Sequence, residues 1–185
     1  MERVLHRQWP EGTIPSQTVL DNINALANLP FHIADRVIDE VEAIYVGEGS
    51  IVELDGMGVL RGRLTYPEGP HSRPFERLAG IYRYGVVALG SLPHESISLV
   101  LHEVGHVLDI ADRMMSETRE WRDLHRACVA RLCEPYWHIR HEWWAEAFAL
   151  TAGDGFEVLT DLLAGDTRLA YDVTSYFQDH YGVMQ

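Results

Sequence analysis

Apolar residues recur at helical spacing between positions 97 and 111. Ile97, Val100, Leu101, Val104, Leu108 and Ala111 share one face, and His102, Gly105, His106 and Asp109 lie on the other. A second stretch, 140–150, is rich in Trp, Phe and Ala and closes near Gly153, which predicts another buried helix. Further helices are predicted at 16–29 and 33–41, with Pro30 breaking between them. After the first of these stretches Ser116 is positioned to cap a helix bearing Trp121, Leu124, His125, Cys128, Val129 and Leu132 on one side, ending at Pro135.

Shorter apolar runs at 43–46, 51–54, 58–64, 78–84 and 86–89 read as strands, punctuated by Gly47, Gly49 and Gly56. The run 65–77 carries Pro67, Gly69, Pro70 and Pro74 and reads as a surface loop. Helices, then a small sheet, then helices, without repeats, indicate an α+β fold in one domain, 1–185. A chain of this length buries about 70% of its unfolded surface around a core.

The sequence His102-Glu103-Val104-Gly105-His106 changes the picture from fold to chemistry. Residues four apart on a helix differ by about 40° in azimuth and about 6 Å in height, so His102 and His106 can present ring nitrogens to one zinc ion. Glu103 is turned beside them, where it can take a proton from water without being a ligand. With 10 His and 16 Glu in the chain, such a motif arises by chance about once in twenty sequences, so its helical setting matters. Gly105 costs about 1 kcal/mol of helix propensity, and its bare backbone lets another chain segment approach the metal.

A catalytic zinc takes three protein ligands and a water, so one ligand is missing from the motif. Glu142 is one candidate, with Glu146 one turn on and able to accept a hydrogen bond from a liganding histidine. Asp112 is the other, six residues after His106, as in the compact HExxHxxGxxD pattern. That pattern turns on a Gly, and Asp109 stands in its place, which ranks Glu142 first. Asp109 is expected to hold an imidazole ring in orientation.

Taken together, the segment Leu78-Ala79-Gly80-Ile81-Tyr82, then Val87-Ala88-Leu89, the motif extended to Asp109, and Glu142-Trp143-Trp144-Ala145-Glu146-Ala147-Phe148 resemble the lethal-factor-like zincin metallopeptidases. This is the family of the anthrax lethal factor catalytic domain and the Pro-Pro endopeptidases. The resemblance covers residues 78–150 and rests mainly on the Glu-Trp-Trp-Ala-Glu-Ala-Phe element. It implies a zincin-like fold, Glu142 as third ligand with Glu146 beside it, and an endopeptidase that cuts an extended chain. It further implies a small mixed sheet whose antiparallel edge strand, here Gly80, Ile81 and Tyr82 within 78–83, binds the substrate backbone. The family's catalytic tyrosine stands seven residues before the ligand glutamate, which here is Pro135. Tyr136 is one place on, and His138 and His141 are the other candidate donors to the transition-state oxyanion.

Charge narrows the partners. The 15 basic and 28 acidic residues leave a net charge of −13, which disfavours nucleic acid and anionic membranes and favours a peptide or protein substrate. The start of the chain lacks a signal-like apolar run and no stretch approaches a membrane span, so a soluble protein is expected. Cytoplasmic residence is the default reading, with secretion open if a leader was removed or export is signal-less; the oligomeric state is not encoded. The expected function is therefore a zinc metalloendopeptidase with one catalytic ion. The rival from another class is a non-catalytic, zinc-stabilised domain that binds a peptide or protein, which has no need of a base at Glu103.

Overall fold

The computed structural model describes residues 1–65 and 71–183, so Pro67, Gly69 and Pro70 of the expected loop lie outside the described residues. The chain divides into two compact units, Met1–Glu95 and Ser96–Gln185. The first holds the sheet and two helices, and the second is helical, as the α+β reading requires.

In the first unit, strand β1 (Leu5–Gln8) precedes helices α1 (Gln17–Ala27) and α2 (Phe31–Glu40). Ser16 starts α1 by accepting the Val19 N–H, while its own N–H and hydroxyl donate to Glu48 at 2.6 and 2.9 Å. Pro30 stands at the N-cap of α2, so the helices part where the sequence places the break. Strands β2 (Ala43–Gly47), β3 (Gly80–Arg83) and β4 (Val86–Leu89) follow. The sheet order is β1-β2-β4-β3, with β1, β2 and β4 parallel and β3 antiparallel to β4. Among the described residues β3 is therefore an antiparallel edge strand, and β1, which the hydropathy pattern does not reveal, is the other edge. Tyr84 and Gly85, both at positive φ (51° and 76°), close the β3–β4 hairpin as a two-residue type I′ loop.

Two predicted strands are corrected. Residues 51–54 and 58–64 contain the 3-10 turns Ile51–Glu53 and Met57–Leu60 in place of extended chain. For the first the cause is capping: the Ser50 hydroxyl accepts the Val52 N–H, and Glu53 reaches back to the Ser50 N–H at 3.2 Å; the second starts from Gly56 at a φ of 73°. This reciprocal box satisfies the backbone donors of a tight turn that a strand would leave for a neighbour. Ile51, Val52, Leu54, Met57 and Leu60 pack with Phe75 and Ala88 in one cluster, so their apolar character reports burial and not extended conformation.

The second unit comprises α3 (Leu99–Ala111), α4 (Arg119–Val129), α5 (Arg140–Ala152), α6 (Phe156–Leu162) and α7 (Thr167–Tyr181). Ser98 caps α3 by accepting the Leu101 N–H at 3.3 Å. Helix α4 is capped by Thr118 and not by Ser116, two residues later than expected, because the Ser116 hydroxyl is taken by Asp109. Helix α5 is buried at every position from Glu142 to Thr151, as its apolar composition demands. Trp143 and Trp144 are fully enclosed. Trp144 stacks on Phe148 and meets Phe177 and Tyr181 edge-on, so both tryptophans serve the core. Among the described residues no helix is long and apolar enough to cross a membrane.

Candidate metal centre

Helices α3 and α5 touch at their smallest residues. A Cβ added to Gly105 would lie 2.8 Å from Cα of Ala145, 3.0 Å from its carbonyl oxygen and 3.1 Å from its Cβ. The two backbones are therefore as close as side-chain-free packing permits, the approach that the sequence assigns to Gly105. This contact sits between His102 and His106 on one helix and Glu142 and Glu146 on the other.

Across that contact three atoms converge. His102 Nε2 and His106 Nε2 are 3.2 Å apart, and Glu142 Oε2 lies 3.4 Å from the first and 3.3 Å from the second. A tetrahedral zinc with bonds of about 2.05 Å requires donors separated by about 3.3 Å, so the triangle fits that ion without adjustment. The donor chemistry fits too, since two neutral imidazoles and one carboxylate form the protein share of a catalytic zinc site. All three side chains are largely enclosed, and they are the group of possible metal ligands among the described residues.

The electrostatics of the triangle couple its imidazoles and carboxylates. Burial alone would make His102 give up its proton, yet the carboxylates of Glu142 and Glu146 outweigh that and raise its pKa to about 10. Burial likewise opposes the charge on Glu142, but the imidazoles of His106, His102 and His141 hold it well below the usual carboxylate range. Both shifts arise from the same meeting of imidazoles and carboxylates at one buried point.

The surroundings orient the donors. His102 Nδ1 lies 2.9 Å from Glu146 Oε2, which turns Nε2 toward the triangle. His141 Nε2 is 3.4 Å from Oε1 of Glu142, the carboxylate oxygen turned away from the triangle, and its ring lies 6.0 Å from that of His106. Contact with Glu142 raises the pKa of His141. Glu103 is buried on α3 next to His102 and adds to the negative field around that imidazole.

Other expected residues are placed differently. The two oxygens of Asp109 accept the Ser116 N–H (2.6 Å) and hydroxyl (2.7 Å), fastening the turn that follows α3, and its charge helps to raise the pKa of the His141 imidazole. Asp112 is the C-cap of α3 and accepts the Tyr181 hydroxyl at 2.8 Å, while Glu142 is the carboxylate brought to the two histidines. His138 is bonded to the Leu132 carbonyl at 3.1 Å. Tyr136 lies in the 3-10 turn Pro135–His138, its ring 5.1 Å from Trp137, whose indole in turn is 6.2 Å from the His102 ring. Gly80, Ile81 and Tyr82 form the edge strand of the first unit, with the Tyr82 hydroxyl donating to Glu40 at 3.1 Å.

Two contacts were not legible beforehand. The buried His125 reaches the Trp137 carbonyl at 3.4 Å, and the Ile97 N–H donates to Glu146 Oε1 at 3.0 Å. Both involve main-chain groups, which carry no residue signal in a sequence.

No protein-family model matches this chain. No curated protein matches it either. Among solved structures it is similar to the Pro-Pro endopeptidase PPEP-2 from Paenibacillus alvei, with a TM-score of 0.72 and 21% identity over 95% of this chain and 98% of that one. The two chains share a fold over essentially their whole lengths.

Proposed function

We propose that this chain is a zinc-dependent metalloendopeptidase of the lethal-factor-like zincin type, with His102, His106 and Glu142 as ligands. The observation that carries this reading is the donor triangle, whose sides of 3.2, 3.3 and 3.4 Å match what tetrahedral zinc requires. The fold shared with a Pro-Pro endopeptidase supports the same reaction class. Zinc held there would polarise a scissile carbonyl and bring the pKa of a water to about 7.

The protein's own groups do the rest. Glu103 accepts the proton of the attacking water and delivers it to the leaving amine, so one carboxylate acts first as base and then as acid. Glu146 keeps the His102 proton on Nδ1 and leaves Nε2 free to bind metal. Tyr136, one position on from where the resemblance places the family's catalytic tyrosine, is assigned as donor to the oxyanion; its ring lies 5.1 Å from that of Trp137, which in turn is 6.2 Å from the His102 ring. Main-chain groups of Gly80, Ile81 and Tyr82 on the outer edge of β3 are assigned to the backbone of an extended substrate. The burial of Glu103 beside the triangle favours this enzyme over a zinc-stabilised binding domain, because a purely structural site needs no base.

Metal analysis combined with a peptide-library cleavage profile tests the proposal. About one zinc per chain and chelator-sensitive hydrolysis are expected, with proline flanking the cut if the shared fold extends to shared specificity. Protein that binds zinc stoichiometrically yet cleaves neither the library nor an unfolded protein such as casein would refute the enzymatic reading.

A further inference from the structure

Two donors from different parts of the chain converge on the carboxylate of Glu146, which is almost fully buried. His102 Nδ1 meets Oε2 at 2.9 Å, and the Ile97 N–H meets Oε1 at 3.0 Å. His102 can turn the Nε2 lone pair toward the triangle only if its proton is on Nδ1, so that nitrogen is the donor. Ile97 directly precedes Ser98, the N-cap of α3, and the same helix carries His102 one turn further on.

The contact lies inside an otherwise apolar joint. A Cβ on Gly155 would meet Ile97 Cδ1 at 2.9 Å, and one on Gly153 would meet Leu101 Cδ1 at 3.1 Å. The first turn of α3 is thus pressed against the end of α5, with the Glu146 carboxylate as the polar link. A carboxylate accepts at both oxygens, whereas a carboxamide offers one acceptor and would turn its NH2 on one of the two donors.

Resting on the reading of His102 as a metal ligand, we infer that Glu146 is a positioning residue that couples zinc binding to the backbone at Ile97, fixing the start of α3 and the ligand ring together. By linkage the coupling is reciprocal: order at Ile97 strengthens zinc binding by the factor with which zinc orders Ile97.

The experiment pairs amide hydrogen exchange at Ile97, in zinc-loaded and chelator-treated protein, with zinc affinity by competition against a chromogenic chelator. In wild-type protein, zinc should slow Ile97 exchange about fivefold to tenfold, the size of one net hydrogen bond. Ile97→Pro deletes the N–H while leaving His102, His106, Glu142 and Glu146 unchanged, and should weaken zinc about tenfold. Ile97→Val keeps the N–H and should stay within about twofold of wild type. Glu146→Gln should weaken zinc by about 10- to 100-fold and speed Ile97 exchange even without metal. Zinc bound normally by wild-type protein with Ile97 exchange indifferent to it, or Ile97→Pro binding as tightly as Ile97→Val, overturns this inference and leaves the metal site standing. Wild-type protein that takes up no zinc overturns both.

Discussion

Gly105→Ala sets two effects of known size against each other. Alanine is the better helix former, so at an open position the change would stabilise α3 by about 1 kcal/mol. Here the new methyl would sit 2.8 Å from Cα of Ala145, whereas ordinary contact begins at 3.4 Å, so α3 and α5 must separate by about 0.6 Å. Overpacking of this kind costs about 1–3 kcal/mol. The net effect on the metal-free fold is a loss of about 0–2 kcal/mol, a shift of a few degrees in Tm. The metal site is less forgiving, because bond lengths to zinc tolerate only about ±0.2 Å. Glu142 rides on one helix and the two histidines on the other, so a 0.6 Å separation strains the triangle three times beyond that tolerance. We expect zinc affinity to fall by at least about tenfold while the protein remains folded. Ala145→Gly in the same background should restore little, since the clashes with Cα and the carbonyl oxygen of residue 145 persist. The measurements are chelator competition for zinc and thermal unfolding of the metal-free variant. A Gly105→Ala protein that binds zinc within twofold of wild type and melts higher would refute the argument that this contact sets the donor spacing.

Three further outcomes are expected. Glu103→Ala should keep its zinc and lose about 10²- to 10⁴-fold or more in turnover, since it removes a base and not a ligand; near wild-type rates with zinc present would discard that role. Glu142→Ala should weaken zinc more than about 100-fold, exceeding what loss of an outer partner does, while Asp112→Ala, whose carboxylate meets Tyr181, should leave metal affinity unchanged. The reverse pattern, again by chelator competition, would transfer the third ligand to Asp112. In the metal-free protein the pKa of His102 is raised to about 10, above the 6.5 of free imidazole, so the folded state binds the proton more tightly than the unfolded state. Its stabilising contribution is full below pH about 6.5 and is lost as pH rises through about 10, whereas that of Glu142, depressed in the fold, is present above pH about 4.5 and lost toward acid. Chelator-treated melts from pH 6.5 to 10 should therefore fall more steeply for wild type than for His102→Gln; parallel profiles would count against the paired imidazole.

Local periodicity made a good part of this protein readable. Side chains four apart on a helix share a face whatever the rest of the chain does, so the disposition of His102 with His106, and of Glu142 with Glu146, follows from order along the chain alone. The buried character of residues 140–150 follows equally from their composition. The tertiary structure decided matters that depend on partners distant in sequence. Apolar runs at 51–54 and 58–64 fit a buried turn as well as a strand; a capping box at Ser50 settles the first as a 3-10 turn, and the second turns from Gly56 in the left-handed region. Asp109 is as good a partner for an imidazole as for a turn, and the return of the chain at Ser116 claims both its oxygens. Glu142 joins residues on another helix only because Gly105 and Ala145 let two backbones meet, and the distance between donors is set by that contact. Helical spacing places side chains around an axis, but the separation of two axes is fixed by the packing between them, and it is at this separation that three donor atoms come to lie about 3.3 Å apart.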